Sequence, residues 1–183
     1  RLEKIAESKG KVKALSKKID VNLHVLDTLK AFYNASNNID RQEFTTFITQ
    51  LMDGRQNIQS VQWIPSVNHE QRDVYEEKAK NDGLSHFFIK EKNDNNALVI
   101  AKKRNSYLPV YFVEPMLKNN NELGFDFASN SKYFTALEKA KLSGNKVAAV
   151  QVTSFDDTQA QTTLLVFQPI YNNKLGMDKT GTE

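Results

Sequence analysis

Chemistry needs donors, acceptors or ligands gathered at one point. Three histidines, His24, His69 and His86, fall on what read as a helix, a helix start and a strand. None has a second ligand-type residue at the spacing of a shared face; His69 and Glu70 are only neighbours in sequence. A metal site needs convergent ligands, so no metal is expected and each histidine reads as a surface or structural residue. The carboxylate pairs Glu76-Glu77 and Asp156-Asp157 serve general acid-base work no better. Adjacent side chains on a helix point about 100° apart, and the second pair reads as a solvated turn. With no cysteine, thiolate catalysis, disulfides and Cys-ligated zinc are excluded. No Gly-x-Ser-x-Gly elbow, phosphate-cradling loop or dinucleotide fingerprint is present. The seven glycines lie mostly at helix ends. The expectation is a binding protein and not an enzyme, with no catalytic residue and no cofactor.

Two segments are dense in large, rigid groups. One is Val61-Gln62-Trp63-Ile64-Pro65 and the other runs from Tyr107 to Pro115. Read as one strand, Tyr107, Pro109, Tyr111 and Val113 face one side, while Leu108, Val110 and Phe112 face the other. A strand apolar on both faces is covered on both. One side suits the core. The other, with two tyrosine hydroxyls on an apolar wall, has the character of a small-molecule pocket, although ordinary core tyrosines would give the same pattern.

The elements that must position these groups are legible in outline. Ile5, Val12, Ile19, Leu26 and Tyr33 recur every seven residues, with Leu15 and Leu29 at the complementary positions and Ser8 and Asn22 as polar members. This spacing predicts a helix over 1–36 with a coiled-coil seam, and Val25 and Phe32 widen its end toward a domain. Asp40 and Glu43 form a capping box for a second helix that stops at Asp53-Gly54. A strand is predicted over 58–64 and a helix from Asn68 to Asn81. The strands 86–90 and 97–102 form a hairpin, followed by the strand 107–113, which Pro109 places at an edge or a bulge. A helix from Ser131 to Leu142 precedes two antiparallel strands over 147–153 and 162–171. Short strands with interspersed helices and no regular βαβ alternation predict an α+β fold.

Composition sets the class of partner. Net charge is +3 with basic and acidic residues intermingled, which argues against nucleic acid. No stretch approaches the roughly 20 apolar residues that span a bilayer. The chain opens inside a helix and reads as a piece of a longer protein. In Gly124-Phe125-Asp126, the glycine suits an unusual backbone conformation and Asp126 reads as a hydrogen-bonding bracket.

Several blocks together carry a resemblance: Trp63-Ile64-Pro65, Arg72 and Tyr75, Asp82-Gly83, Tyr107-Leu108-Pro109-Val110, Glu114-Pro115, Asn119-Asn120, Gly124-Phe125-Asp126, Ser129, Ala136-Leu137, Ala140, Ser143-Gly144 and Val166-Phe167-Gln168-Pro169-Ile170-Tyr171. From about Arg41 to Tyr171 the chain resembles the CHASE family, extracytoplasmic sensor domains of receptor histidine kinases, diguanylate cyclases and related receptors, the plant cytokinin receptors among them. The resemblance implies flanking transmembrane helices and an N-terminal stalk helix in a homodimer. It also implies tandem PAS-like lobes with a small organic ligand in the membrane-distal one, and an extracytoplasmic (periplasmic) location. On that pattern 1–36 is the stalk and 37–171 the PAS-like ligand-binding lobe. Residues 172–183 are then a linker or the start of a truncated proximal lobe. A module binding a protein partner without its own ligand is the alternative.

The resemblance also implies positions. The aspartate that holds the purine in cytokinin receptors corresponds to about Asn105, and a helping threonine falls near Val150. Both departures point to a ligand other than cytokinin. The expected ligand-contacting residues are Asn105, Tyr107, Pro109, Tyr111, Phe125, Val150 and Thr153.

Overall fold

A computed structural model of the chain describes residues 2–36, 39–55, 57–116, 122–154 and 160–171, with backbone alone over 2–12, 14–16, 18, 151–154 and 160–162. In chain order its elements are α1 (Leu2–Ala35), α2 (Arg41–Met52), β1 (Val61–Trp63), β2 (Val67–Asn68), α3 (Arg72–Asn81), β3 (Lys90–Lys92), β4 (Leu98–Ile100), β5 (Ser106–Tyr107), β6 (Phe112–Glu114), α4 (Ser131–Ser143), β7 (Val147–Ser154) and β8 (Ala160–Phe167). Single 3-10 turns cover His69–Gln71 and Phe127–Ser129. The expected α+β class is the one observed.

The helix boundaries follow their capping chemistry. The Glu43 main-chain N–H donates to Asp40 Oδ1 at 2.8 Å, and the Asp40 N–H donates to Glu43 Oε2 at 3.2 Å. This reciprocal pair satisfies two of the orphan donors at the start of α2 and sets Phe44 and Ile48 inward, both buried. Asn130 caps α4 by accepting from the N–H groups of Lys132 and Tyr133. The helix ends at Gly144, whose φ of 71° is left-handed.

The sheet is built from short pairings that join edge to edge. β1 pairs antiparallel with β6, and β2 with β5. The 122–127 segment then lies between Leu108–Val110 and β3. Val110 N–H donates to the Phe125 carbonyl and Gly124 N–H to the Val110 carbonyl, while Lys90 N–H donates to the Gly124 carbonyl and Asp126 N–H to the Lys90 carbonyl. β4 closes this edge against β3. The hairpin β7–β8 is separate.

Two apolar clusters flank the sheet. One joins Val25 of α1, Phe44 and Ile48 of α2 and Ala79 of α3 to Val61, Val67, Ile89, Ala101, Tyr107, Tyr111 and Phe112. The other joins Ala136 and Ala140 of α4 and Phe167 of β8 to Val110, Val113 and Phe127.

The strand expected over 107–113, with an edge or a bulge at Pro109, is two short strands. Trp63 stands opposite Phe112 and Val67 opposite Tyr107. Five residue steps on one side therefore face four on the other, which is the signature of a bulge. It falls around Pro109, whose missing N–H suits an interruption of the ladder. The predicted alternation breaks there: Tyr107, Tyr111 and Phe112 join one cluster, Leu108, Val110 and Val113 the other.

Smaller corrections share one cause, that turns claimed residues assigned to strands. The hairpin's first strand lies at Lys90–Lys92 instead of 86–90, because residues 82–86 belong to the turn after α3. The strand read over 58–64 is Val61–Trp63, and the last strand ends at Phe167, before Pro169. The seam on α1 is also partly spent within the chain. Leu29 and Tyr33 pack on the domain along with Val25 and Phe32, while Ile19 stays 37% exposed. The side chains of Ile5, Ser8, Val12 and Leu15 lie outside the described ones.

Gly124 has φ 79°, and a Cβ there would overlap the Phe88 carbonyl oxygen. Gly124→Ala should therefore cost on the order of 3 kcal/mol in a urea melt, combining left-handed strain with overpacking. At Gly54, with φ 72° and open space around it, the same change should cost only about 1 kcal/mol.

Candidate functional site

The most concentrated chemistry lies where β5, the 122–127 segment and α3 meet. Asp126 is fully buried. Its Oδ1 accepts from the main-chain N–H of Leu108 at 2.7 Å and of Ala128 at 3.0 Å, and its Oδ2 accepts from Arg104 Nη1 at 2.5 Å. Arg104 Nη2 reaches Glu91 Oε2, also at 2.5 Å. One guanidinium thus holds two buried carboxylates from different strands of the sheet. Burial by itself would lower the Arg104 pKa, but the hydrogen bonds from Glu91 and Asp126 outweigh it and the net direction is upward.

A second ion pair lies beside it. Arg72 Nε donates to Glu76 Oε1 at 2.9 Å, both side chains being nearly buried. Arg72 also donates to the carbonyls of Ala101 and Ile89, and Glu76 Oε1 accepts from the Ile89 N–H. For Arg72 too, desolvation acts downward and the bonds to Glu76 and Tyr107 carry the pKa upward. This pair clips α3 to the strands carrying Ile89 and Ala101.

Tyr107 joins the two. Its hydroxyl receives Arg72 Nη1 at 3.4 Å and the Arg104 main-chain N–H at 3.2 Å. With both lone pairs engaged, its own proton is left for His69 Nδ1 at 2.9 Å. The 69–72 turn, the 104–107 segment and α3 are therefore tied at one oxygen.

The structure places the expected ligand residues in different surroundings. Tyr107 is fully buried in this network. Pro109 is fully buried and bridges to Asp126. Tyr111 is buried, donates its hydroxyl to Asp82 Oδ2 at 3.0 Å, and packs edge-on against Tyr75, Phe87 and Phe112. Its pKa is pushed far upward, first by burial and then by the bond to Asp82. Phe125 is partly buried against Phe127 on the sheet's opposite face. Asn105 is exposed, with its carbonyl accepting from the His69 N–H. Val150 is exposed on β7, and the side chain of Thr153 lies outside the described ones.

Sequence reading anticipated Asp126 as a bracket. It missed Arg72, Glu76, Glu91 and Arg104, whose pairing spans up to 22 residues of separation. The Arg72/Glu76 spacing of four on one helix face was the available signal. Among the described residues no three or more His, Cys, Asp or Glu gather as metal ligands, and no helix is long and apolar enough to cross a membrane.

A family model described as CHASE domain matches residues 37–183. Among characterised proteins, "Adenylate cyclase, germination specific" of Dictyostelium discoideum is 29% identical over 119 residues, 64% of this chain. The chain spans only 14% of the length of that relative.

Asp126→Ala should cost more than about 3 kcal/mol in chemical denaturation, because it leaves the Arg104 guanidinium and two main-chain donors unpaired. Tyr107→Phe, which keeps the ring, should cost roughly 1–2 kcal/mol. Tyr111 supplies a pH prediction. Its folded pKa is raised, so its contribution is complete below the unfolded value of about 10 and is lost as pH climbs above that. Alkaline denaturation of the parent and of Tyr111→Phe should therefore differ in slope only above about pH 10, as measured by urea melts at stepped pH.

Proposed function

The chain belongs to the CHASE domain family, and on that premise we propose that it senses a small organic molecule for a transmembrane signalling receptor and passes the event to its N-terminal helix. CHASE domains are sensor domains of signalling receptors, not their catalytic parts, and they are extracytoplasmic. The finer reading has residues 37–171 as the PAS-like ligand-binding lobe and 1–36 as a stalk that pairs with that of a second copy. The lobe lies outside the cytoplasm in this reading, and the receptor's output domain is a histidine kinase or a nucleotide cyclase.

One observation carries the transmission half. Tyr33, on the last turn of α1, stacks on Trp63 of β1 with ring centroids 3.9 Å apart and planes 20° from parallel. β1 is hydrogen-bonded to β6, so a displacement in the middle of the sheet reaches the stalk through one strand. Phe32 stacks on Phe47 of α2 at 4.0 Å. On the α4 side, Asp27 receives Lys146 Nζ at 2.7 Å at the start of β7. That bond is the main cause that lowers the Asp27 pKa. The helix is thus held by both layers of the lobe, and rearrangement of either biases its position.

The protein-partner alternative has its own observation. The outer face of α4 exposes Phe134 and Leu142, eight residues apart, with Glu138 and Lys139 around a shallow groove. A partner helix would cover such a stripe.

A thermal-shift screen of the chain against a metabolite panel should find compounds that raise the melting temperature; a panel with none would count against a ligand sensor. In sedimentation velocity the chain should self-associate with rising concentration, and Ile19→Asp should keep it monomeric. A parent chain that stays monomeric at every concentration would remove the stalk seam.

A further inference from the structure

The sheet face opposite α1, α2 and α3 is only half covered. α4 and β8 pack over Val110, Val113 and Phe127, toward β5 and β6. Among the described residues nothing packs over the β3–β4 side. Phe87, Ile89 and Glu91 are buried, so strand alternation turns Phe88, Lys90 and Lys92 to the opposite face. The register sets Ile100 across from Lys90 and Leu98 across from Lys92, and a parallel bridge sets Phe125 beside Lys90. Phe88 is 40% and Ile100 66% exposed. The result is an apolar shelf with an ammonium in it.

Among the described residues that ammonium has no counter-charge. Lys90 is partly buried, with its stem laid against the backbone of Gly124, where Cε stands 3.3 Å from the position a Cβ would take. Burial, with no charge partner, lowers its pKa. Glu91, next in sequence, points to the other face and is held by Arg104. Lys80 adds a second positive charge, its Nζ 4.7 Å from the centre of the Phe88 ring, and Lys92 is exposed on the same rim. None of Phe88, Lys90, Lys92, Leu98, Ile100 and Phe125 is acidic.

We propose that this shelf binds a small organic carboxylate with an apolar body, the carboxylate on the Lys90 ammonium and the body against Phe125, Phe88 and Ile100. A partly desolvated cation with no partner gains more from an incoming anion than a solvated one, because part of the desolvation cost is already met. Exposed Phe and Ile beside it reward an apolar body and disfavour a bare inorganic anion. The proposal rests on the ligand-sensing reading and deepens it, since Phe125 belongs to both.

The test is titration calorimetry of the chain with phenylacetate and 3-phenylpropionate, with their neutral amides, and with inorganic phosphate. The carboxylates should bind, while the amides and phosphate should bind at least about tenfold more weakly, corresponding to 1.4 kcal/mol. Lys90→Met should lose carboxylate affinity by a similar factor while melting at the same temperature or above, since it removes a desolvated charge. Ile100→Glu, at an exposed position, should also block binding by placing an internal carboxylate opposite Lys90. Undiminished binding to Lys90→Met, or amides and carboxylates binding alike, would overturn the carboxylate site and leave ligand sensing standing. If no member of this set binds, the site proposal fails. If the metabolite panel is also silent, the sensing reading fails with it.

Discussion

A carboxylate removed from water must be fully engaged or it unfolds its surroundings, and Asp126 is the place where this chain accepts that constraint. Its two oxygens receive the main chain at Leu108, the main chain at Ala128 and the guanidinium of Arg104. Each donor comes from a different part of the sheet's centre. The segment from Leu108 to Val110 is thereby fixed against the 122–127 segment, and through Arg104 and Glu91 against β3. Short strands of two or three residues have little ladder energy of their own. The buried ion pairs supply the cross-links that such strands lack. Packing on the two faces can then proceed on a sheet already held in register.

The helices were legible because their signals are local. The capping box at Asp40 and Glu43 and the helix that starts at Ser131 each rest on residues a few positions apart, and the structure has both. The central strand was not, because its geometry is decided by a partner 40 or more residues away. Alternation through Tyr107, Pro109, Tyr111 and Val113 assumes an unbroken ladder; Pro109 marks an edge or a bulge there, but which of the two, and its effect on the alternation, shows only once both strands are in place. Asp126 was readable as a bracket from its turn. The arginine that completes it was not, since nothing in the sequence links Arg104 to Asp126 before the fold does. The same limit applied to the seven expected ligand residues. They were chosen by type and by family position, whereas burial assigned Tyr107, Pro109 and Tyr111 to the core and left Asn105 and Val150 at the surface.

The two layers have unequal roles. The face carrying α1, α2 and α3 is filled by stacked aromatics, Tyr33 on Trp63 and Phe32 on Phe47, with Tyr111 edge-on to three neighbours. Dense contacts of this kind move as a body and suit the transfer of a displacement. Among the described residues the other face is covered by α4 and the β7–β8 hairpin over only part of its width, and beside them the sheet presents apolar and cationic groups. A sensor needs both properties, a stiff path to its output and a surface still free to be occupied.

The bulge around Pro109 has a consequence for how the chain can vary. On the facing strand Val61, Trp63 and Val67 keep one parity and one cluster, whereas across the bulge the inward residues change from odd to even, Tyr107 to Phe112. Residues 108–111 thus act as a phase slip in the strand's in-out rhythm. Loss of one residue there would leave four steps facing four, an unbroken ladder that keeps Tyr107 and Phe112 on one face and obliges the residues between them to exchange faces. Point substitutions at these positions are questions of size and polarity, but a change of length is a question of which face each side chain within the slip belongs to.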